Sequence, residues 1–108
     1  MDPLIAQLTL FSVGTNADTV HTAIFTTSFE EEDGRWVGIC HELGASAYGD
    51  TLEEARGELS DAVLLEMNEM RRLGFGEEFL ADRGVKVSVT SLIKQEPTEW
   101  FLAGIGTR

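Results

Sequence analysis

Residues 33–55 read DGRWVGICHELGASAYGDTLEEA, and the fold turns on them. Asp33-Gly34 lies between two runs rich in β-branched and aromatic side chains, TVHTAIFTTSF (19–29) and RWVGICHEL (35–43). Asp-Gly in that position predicts a hairpin, because glycine adopts the positive φ that a tight turn needs. In the second run Trp36, Gly38 and Cys40 point one way and Val37 and Ile39 the other. Gly44 leads into a third strand, Ala45 to Tyr48, which Gly49 and Asp50 end. Three strands with short connections predict an antiparallel meander.

The hydrophobic period then changes from two to between three and four. Asp50 or Thr51 can cap a helix whose first turn carries Glu53 and Glu54, where the helix dipole favours carboxylates. Leu52, Ala55, Leu59, Ala62, Val63, Met67 and Met70 form one apolar stripe on a helix over 51–73. Gly74 can end it in the left-handed conformation. Glu66 falls inside the stripe, and Leu64 and Leu65 outside it. Either the helix outruns the sheet there, or Leu65 with Met67 or Met70 contributes to a subunit or partner surface.

Outward from this unit the pattern is weaker. Residues 75–82 can be a short helix or a turn. Val85, Val87 and Val89 alternate and predict a fourth strand over 85–92. Residues 1–18 form an arm or an extra strand, with a turn-rich GTNAD at 14–18. Residues 94–108 form a tail whose Trp100, Phe101, Leu102 and Ile105 need cover from the same domain or from a second subunit. The main unit is then 19–93. The expected class is α+β, a two-layer sandwich of order β-β-β-α-β. In it a three-stranded antiparallel meander plus a fourth strand carries one long helix on one face.

The composition narrows the function. At 108 residues the chain supports one domain. Nineteen Asp and Glu against eight Lys and Arg give a net charge of −11. That charge repels phosphate, so no direct nucleic-acid contact is expected, and a basic protein partner suits it better. No apolar run is long enough to span a membrane. The first ten residues carry no basic residue, so no secretory leader is expected. One cysteine, Cys40, fits a reducing compartment, and a cytoplasmic location is expected.

The stretch 33–55 resembles the HicB family of antitoxins. The acidic run before Asp33-Gly34, Trp36-Val37, Glu42-Leu43 before Gly44, and Gly49-Asp50-Thr51-Leu52-Glu53-Glu54-Ala55 at the helix start carry the likeness, which covers roughly residues 24–90. His41 and Gly44 stand where the family often has proline. The resemblance implies a partial ribonuclease H fold and a partner, a small basic HicA-type toxin that cleaves messenger RNA. It also implies an inhibitory role exerted by covering that toxin. A C-terminal DNA-binding module, common in the family, is not expected in the residues after the fourth strand. A stand-alone regulatory or ligand-binding module of the same fold is the alternative, and a degenerate nuclease a third.

The residues themselves point to no catalysis by this chain, and to no cofactor and no metal. Neighbouring strand residues face opposite ways, so His41 is badly placed to activate Cys40, and Cys40 with Glu42 makes a poor nucleophile pair. No metal-ligand spacing links His21, Cys40 and His41. Gly34, Trp36, Gly49, Asp50, Thr51, Leu52 and Ala55 are expected to be structural. Glu30, Glu31, Glu32 and Asp33 in the hairpin, with Glu58 and Asp61 on the helix, are candidates for steering a basic partner. Leu65 and Trp100 are candidates for apolar anchors. Exposed strand edges and the apolar tail predict a homodimer or higher homo-oligomer.

Overall fold

A computed structural model describes residues 2–14, 19–89 and 97–107. The centre of the turn expected at 14–18, the last residues of the strand expected over 85–92, and the start of the tail at Lys94 lie outside these. Six strands and two helices follow in the order β1 (Leu4–Val13), β2 (Val20–Glu32), β3 (Arg35–Cys40), β4 (Ala45–Gly49), α1 (Leu52–Arg72), α2 (Glu77–Asp82), β5 (Lys86–Val89) and β6 (Trp100–Thr107).

The expected two-layer sandwich of a meander, a fourth strand and one helix is not what forms. All six strands belong to one antiparallel sheet, ordered β4-β3-β2-β1-β6 with β5 also on β2, and this sheet curls into a half-barrel around α1. The correction comes from the two ends of the chain. β1 runs the length of β2, from Leu4 opposite Phe29 to Val13 opposite Val20. It buries Ala6, Leu8, Leu10 and Ser12 on the concave side. Its period of two is blurred in the sequence because the convex side also carries Ile5, Phe11 and Val13. The tail extends the sheet as β6 along β1, with an irregularity at Thr9/Leu10. Its Trp100 is only 3% exposed and is covered by its own domain, whereas Phe101 and Leu102 remain 44% and 42% exposed.

β2 is the spine of the sheet. One of its sides is taken by β1; the other is shared between β3 (Thr27 to Glu32) and β5 (His21 to Ile24). The gap between those two partners is closed by the loop after β3. The His41 N–H donates to the Thr26 carbonyl at 2.9 Å, and the Thr26 N–H donates to Glu42 Oε1 at 2.8 Å. The β2–β3 turn has φ of 53° at Asp33 and 80° at Gly34, the doubly left-handed geometry of a two-residue hairpin.

α1 lies in the concavity. Ala55, Leu59, Val63 and Met67 pack on Leu8, Leu10, Phe25 and Phe29 as one core. Leu52, Ala62 and Met70, also expected in the stripe, are only half-buried. Thr51 is the cap: its Oγ1 accepts the Glu54 N–H at 3.0 Å. At the other end Gly74 has φ of 90°, and the N–H groups of Gly74 and Phe75 return to Arg71 O and Met70 O. This is the two-bond helix stop that a left-handed residue makes possible. Two glycines are fixed by close approach. A Cβ at Gly38 would lie 2.5 Å from the Phe29 ring, and one at Gly49 would lie 2.4 Å from the Ala55 nitrogen.

Candidate functional site

The four hairpin acids, Glu30, Glu31, Glu32 and Asp33, are all exposed. Glu30 and Glu31 join Asp2 around a hollow of about 130 Å³ floored by Phe29 and Trp36. On α1, Glu53, Glu54, Glu58 and Asp61 are exposed as well. None of these eight carboxylates has an ion-pair partner among the described residues; the exposed pair there is Arg72 with Glu69. Leu65 is 71% exposed on the solvent side of α1. Asp61 precedes it and Glu69 follows it by four residues, so acids flank it on the same helix face. Trp100 lies in the core beside His21, with ring centroids 6.5 Å apart, and offers a partner no surface.

The motif residues sit at structural positions. Gly34 makes the turn, and Trp36 faces Gly49 across β3 and β4. Asp50 is exposed just before the cap, Thr51 caps, and Leu52 and Ala55 begin the buried side of α1.

The Cys40-His41-Glu42 segment is divided between the two faces of the sheet. Cys40 is fully buried, and burial with the Glu42 carboxylate nearby pushes its thiol up to about 11. Its Sγ is 4.0 Å from Glu42 Oε1. A thiol held this way is protonated at neutral pH, the opposite of an activated nucleophile. His41 instead exchanges a 2.9 Å hydrogen bond with Ser28 Oγ, where the surface is exposed. Among the described residues no three of His, Cys, Asp and Glu are grouped to hold a metal ion. Among the described residues no helix is long and apolar enough to cross a membrane.

Two groupings were not visible in the sequence. Ser12 and His21 face each other across β1 and β2, both fully buried. Among the described residues neither the hydroxyl nor either ring nitrogen has a hydrogen-bond partner, and His21 Nε2 is 3.7 Å from Glu77 Oε1. These are residue types of a hydrolytic triad. The serine makes no hydrogen bond to the ring, however, and burial seals both from substrate.

The second grouping is a cleft of about 390 Å³ between the first half of α1 and β6, lined by Glu53, Arg56, Gly57, Ser60, Asp61, Leu102 and Ile105. The helix residues fall at i, i+3, i+4, i+7 and i+8, one face of a helix. Arg56 reaches over the cleft to the Ile105 carbonyl at 3.3 Å, and Ser60 Oγ donates to the Arg56 carbonyl at 2.7 Å. Beyond it, the Asn68 side chain accepts the Trp100 N–H at 2.7 Å and donates to the Trp100 carbonyl at 3.1 Å. The signal for this site was present only as polar interruptions of the helix pattern at Arg56, Gly57 and Asn68. No family model, no curated protein and no solved structure matches the chain. The geometry and the residues therefore carry the functional reading.

Proposed function

We propose that this protein is an antitoxin-like binding protein that neutralises a small basic, RNA-cleaving toxin of the HicA type by covering its RNA-binding surface or active site. The observation that carries the reading is the set of eight exposed carboxylates, on the hairpin and on α1, that have no cation of their own among the described residues. Unneutralised acids on one molecule attract a basic surface and raise its rate of encounter. The hollow at the base of the hairpin adds a specific feature. Acids around an aromatic floor suit a lysine or arginine, which gains from both charge and ring contact. Leu65, exposed among acids, supplies an apolar contact at which affinity rather than rate is set.

The test is to express the chain with the product of any short basic reading frame beside its gene and measure binding kinetics at two salt concentrations. The association rate is expected to fall as salt rises. Replacing Glu30, Glu31 and Glu32 together by Lys is expected to slow association by about tenfold or more at low salt, with folding intact. Leu65→Ala is expected to speed dissociation. A charge-reversed protein that associates as fast as the parent, or a basic neighbour that does not bind, rules the reading out.

A further inference from the structure

β6 ends the sheet, and Trp100–Thr107 contains neither a charge nor a proline. Edges of that kind are templates for a further strand unless something covers them. Here α1 covers only two points, with Asn68 holding both backbone groups of Trp100 and Arg56 holding the Ile105 carbonyl. Hydrogen bonding alternates along an antiparallel strand. Since Trp100 turns its backbone groups away from β1, so does Leu102, two residues on. The Leu102 N–H and C=O thus face out between the two caps, and no group among the described residues takes them.

The helical wall of the cleft carries a second observation. Gly57 lies inside α1, where glycine lowers helix stability. A Cβ there would meet nothing within 4 Å among the described residues, so none of them requires its absence. Glu53 and Asp61 flank it at four residues on either side, both without an ion-pair partner among the described residues. They lie about 12 Å apart along the axis. Residues i and i+4 of a strand lie about 13 Å apart and point the same way.

From this juxtaposition we infer that the β6 edge accepts an extended segment of a basic partner as a seventh strand, with Lys or Arg at two positions four residues apart reaching Glu53 and Asp61 across Gly57. The inference rests on the partner reading above and names where such a partner docks. A second copy fits less well. Its own β6, WFLAGIGT, has no cation to offer, and it brings a further −11 of charge.

Fluorescence anisotropy with two labelled ten-residue probes tests this. One probe is a Val/Thr peptide with Arg at i and i+4; the other has Glu at those positions. The Arg peptide is expected to bind and the Glu peptide not to. Gly57→Leu is expected to weaken the Arg peptide at least tenfold while raising Tm by about 4 °C, since leucine is the better helix former. Glu53→Lys with Asp61→Lys is expected to abolish binding. Equal binding by the parent and Gly57→Leu overturns the inference. So does a dimer by light scattering that Gly57→Leu dissociates, because a second copy would then fill the cleft. If a basic neighbouring gene product binds Gly57→Leu as tightly as the parent but loses affinity for the hairpin variant, strand addition falls and the antitoxin reading stands. If that product does not bind the parent while the Arg peptide behaves as expected, the antitoxin reading falls and the site stands.

Discussion

At the β4 edge of the sheet, the backbone of Gly49 lies so close to the first turn of α1 that a Cβ would sit 2.4 Å from the Ala55 nitrogen. At the β6 edge, α1 holds the backbone of the strand through two side chains, Asn68 and Arg56, and leaves a cleft beside Arg56. One edge is closed by backbone against backbone, the other by polar caps that water or another chain can replace. Contacts of the first kind fix where the helix lies. Contacts of the second kind tolerate exchange, and that is where a binding function can be added without disturbing the core.

The sharpest way to break the closed edge is Gly49→Ala. The added methyl meets the backbone of Glu54 and Ala55, which cannot rotate away as a side chain can. Either β4 separates from β3 or α1 shifts off its cap at Thr51. A loss of about 3 kcal/mol is expected from such overpacking, read as a lower urea midpoint. An unchanged midpoint would mean the two elements are not held together as described.

The same contrast explains what could be read from the sequence. The closed side is written in local signals. Asp33-Gly34 has room for only one kind of turn, Thr51 caps with a side chain three residues from its target, and Ala55, Leu59, Val63 and Met67 repeat at helical spacing. The open side depends on contacts far apart in the chain. Asn68 and Trp100 are separated by 32 residues, and β1 shows apolar side chains on both faces, so neither periodicity nor turn chemistry marks them. Trp100 illustrates the limit: its size and late position suggested an anchor for a partner, and it serves instead as the core residue that holds β6 in place. Gly57 interrupts the helix pattern, and only the cleft gives it a position.

Alkali probes the closed side at Cys40, opposite Ala45 between β3 and β4. Its folded thiol lies near 11, against 9.0 for an ordinary one, chiefly because burial disfavours the thiolate. The raised value means that the fold prefers the protonated form. The contribution is therefore complete below about pH 9 and is lost as pH rises toward 11. Two units correspond to about 2–3 kcal/mol. Urea midpoints between pH 8 and 11 are expected to fall more steeply for the parent than for Cys40→Ala, and the parent thiol is expected to react with a disulfide reagent only as the protein unfolds. Equal slopes would mean that Cys40 is less enclosed than the β3–β4 pairing makes it.

The open side is expected to give way more gently, and Asn68→Ala measures by how much. The Asn68 amide satisfies both backbone groups of Trp100, as a neighbouring strand would. Removing it leaves an N–H and a C=O with only water to turn to at a partly buried site, a loss of about 2 kcal/mol. Alanine is the better helix former and returns up to about 0.7 kcal/mol. The net cost, about 1.5 kcal/mol, is half that of Gly49→Ala. It should also be local. Amide exchange is expected to quicken along β6, and at its β1 partners Ser12, Phe11 and Leu10, while β3 and β4 stay protected. Such a pattern would make β6 a strand held by exchangeable caps, ready to share its edge. Uniform loss of protection across the sheet would show instead that both edges belong to one cooperative unit, and the distinction between them would disappear.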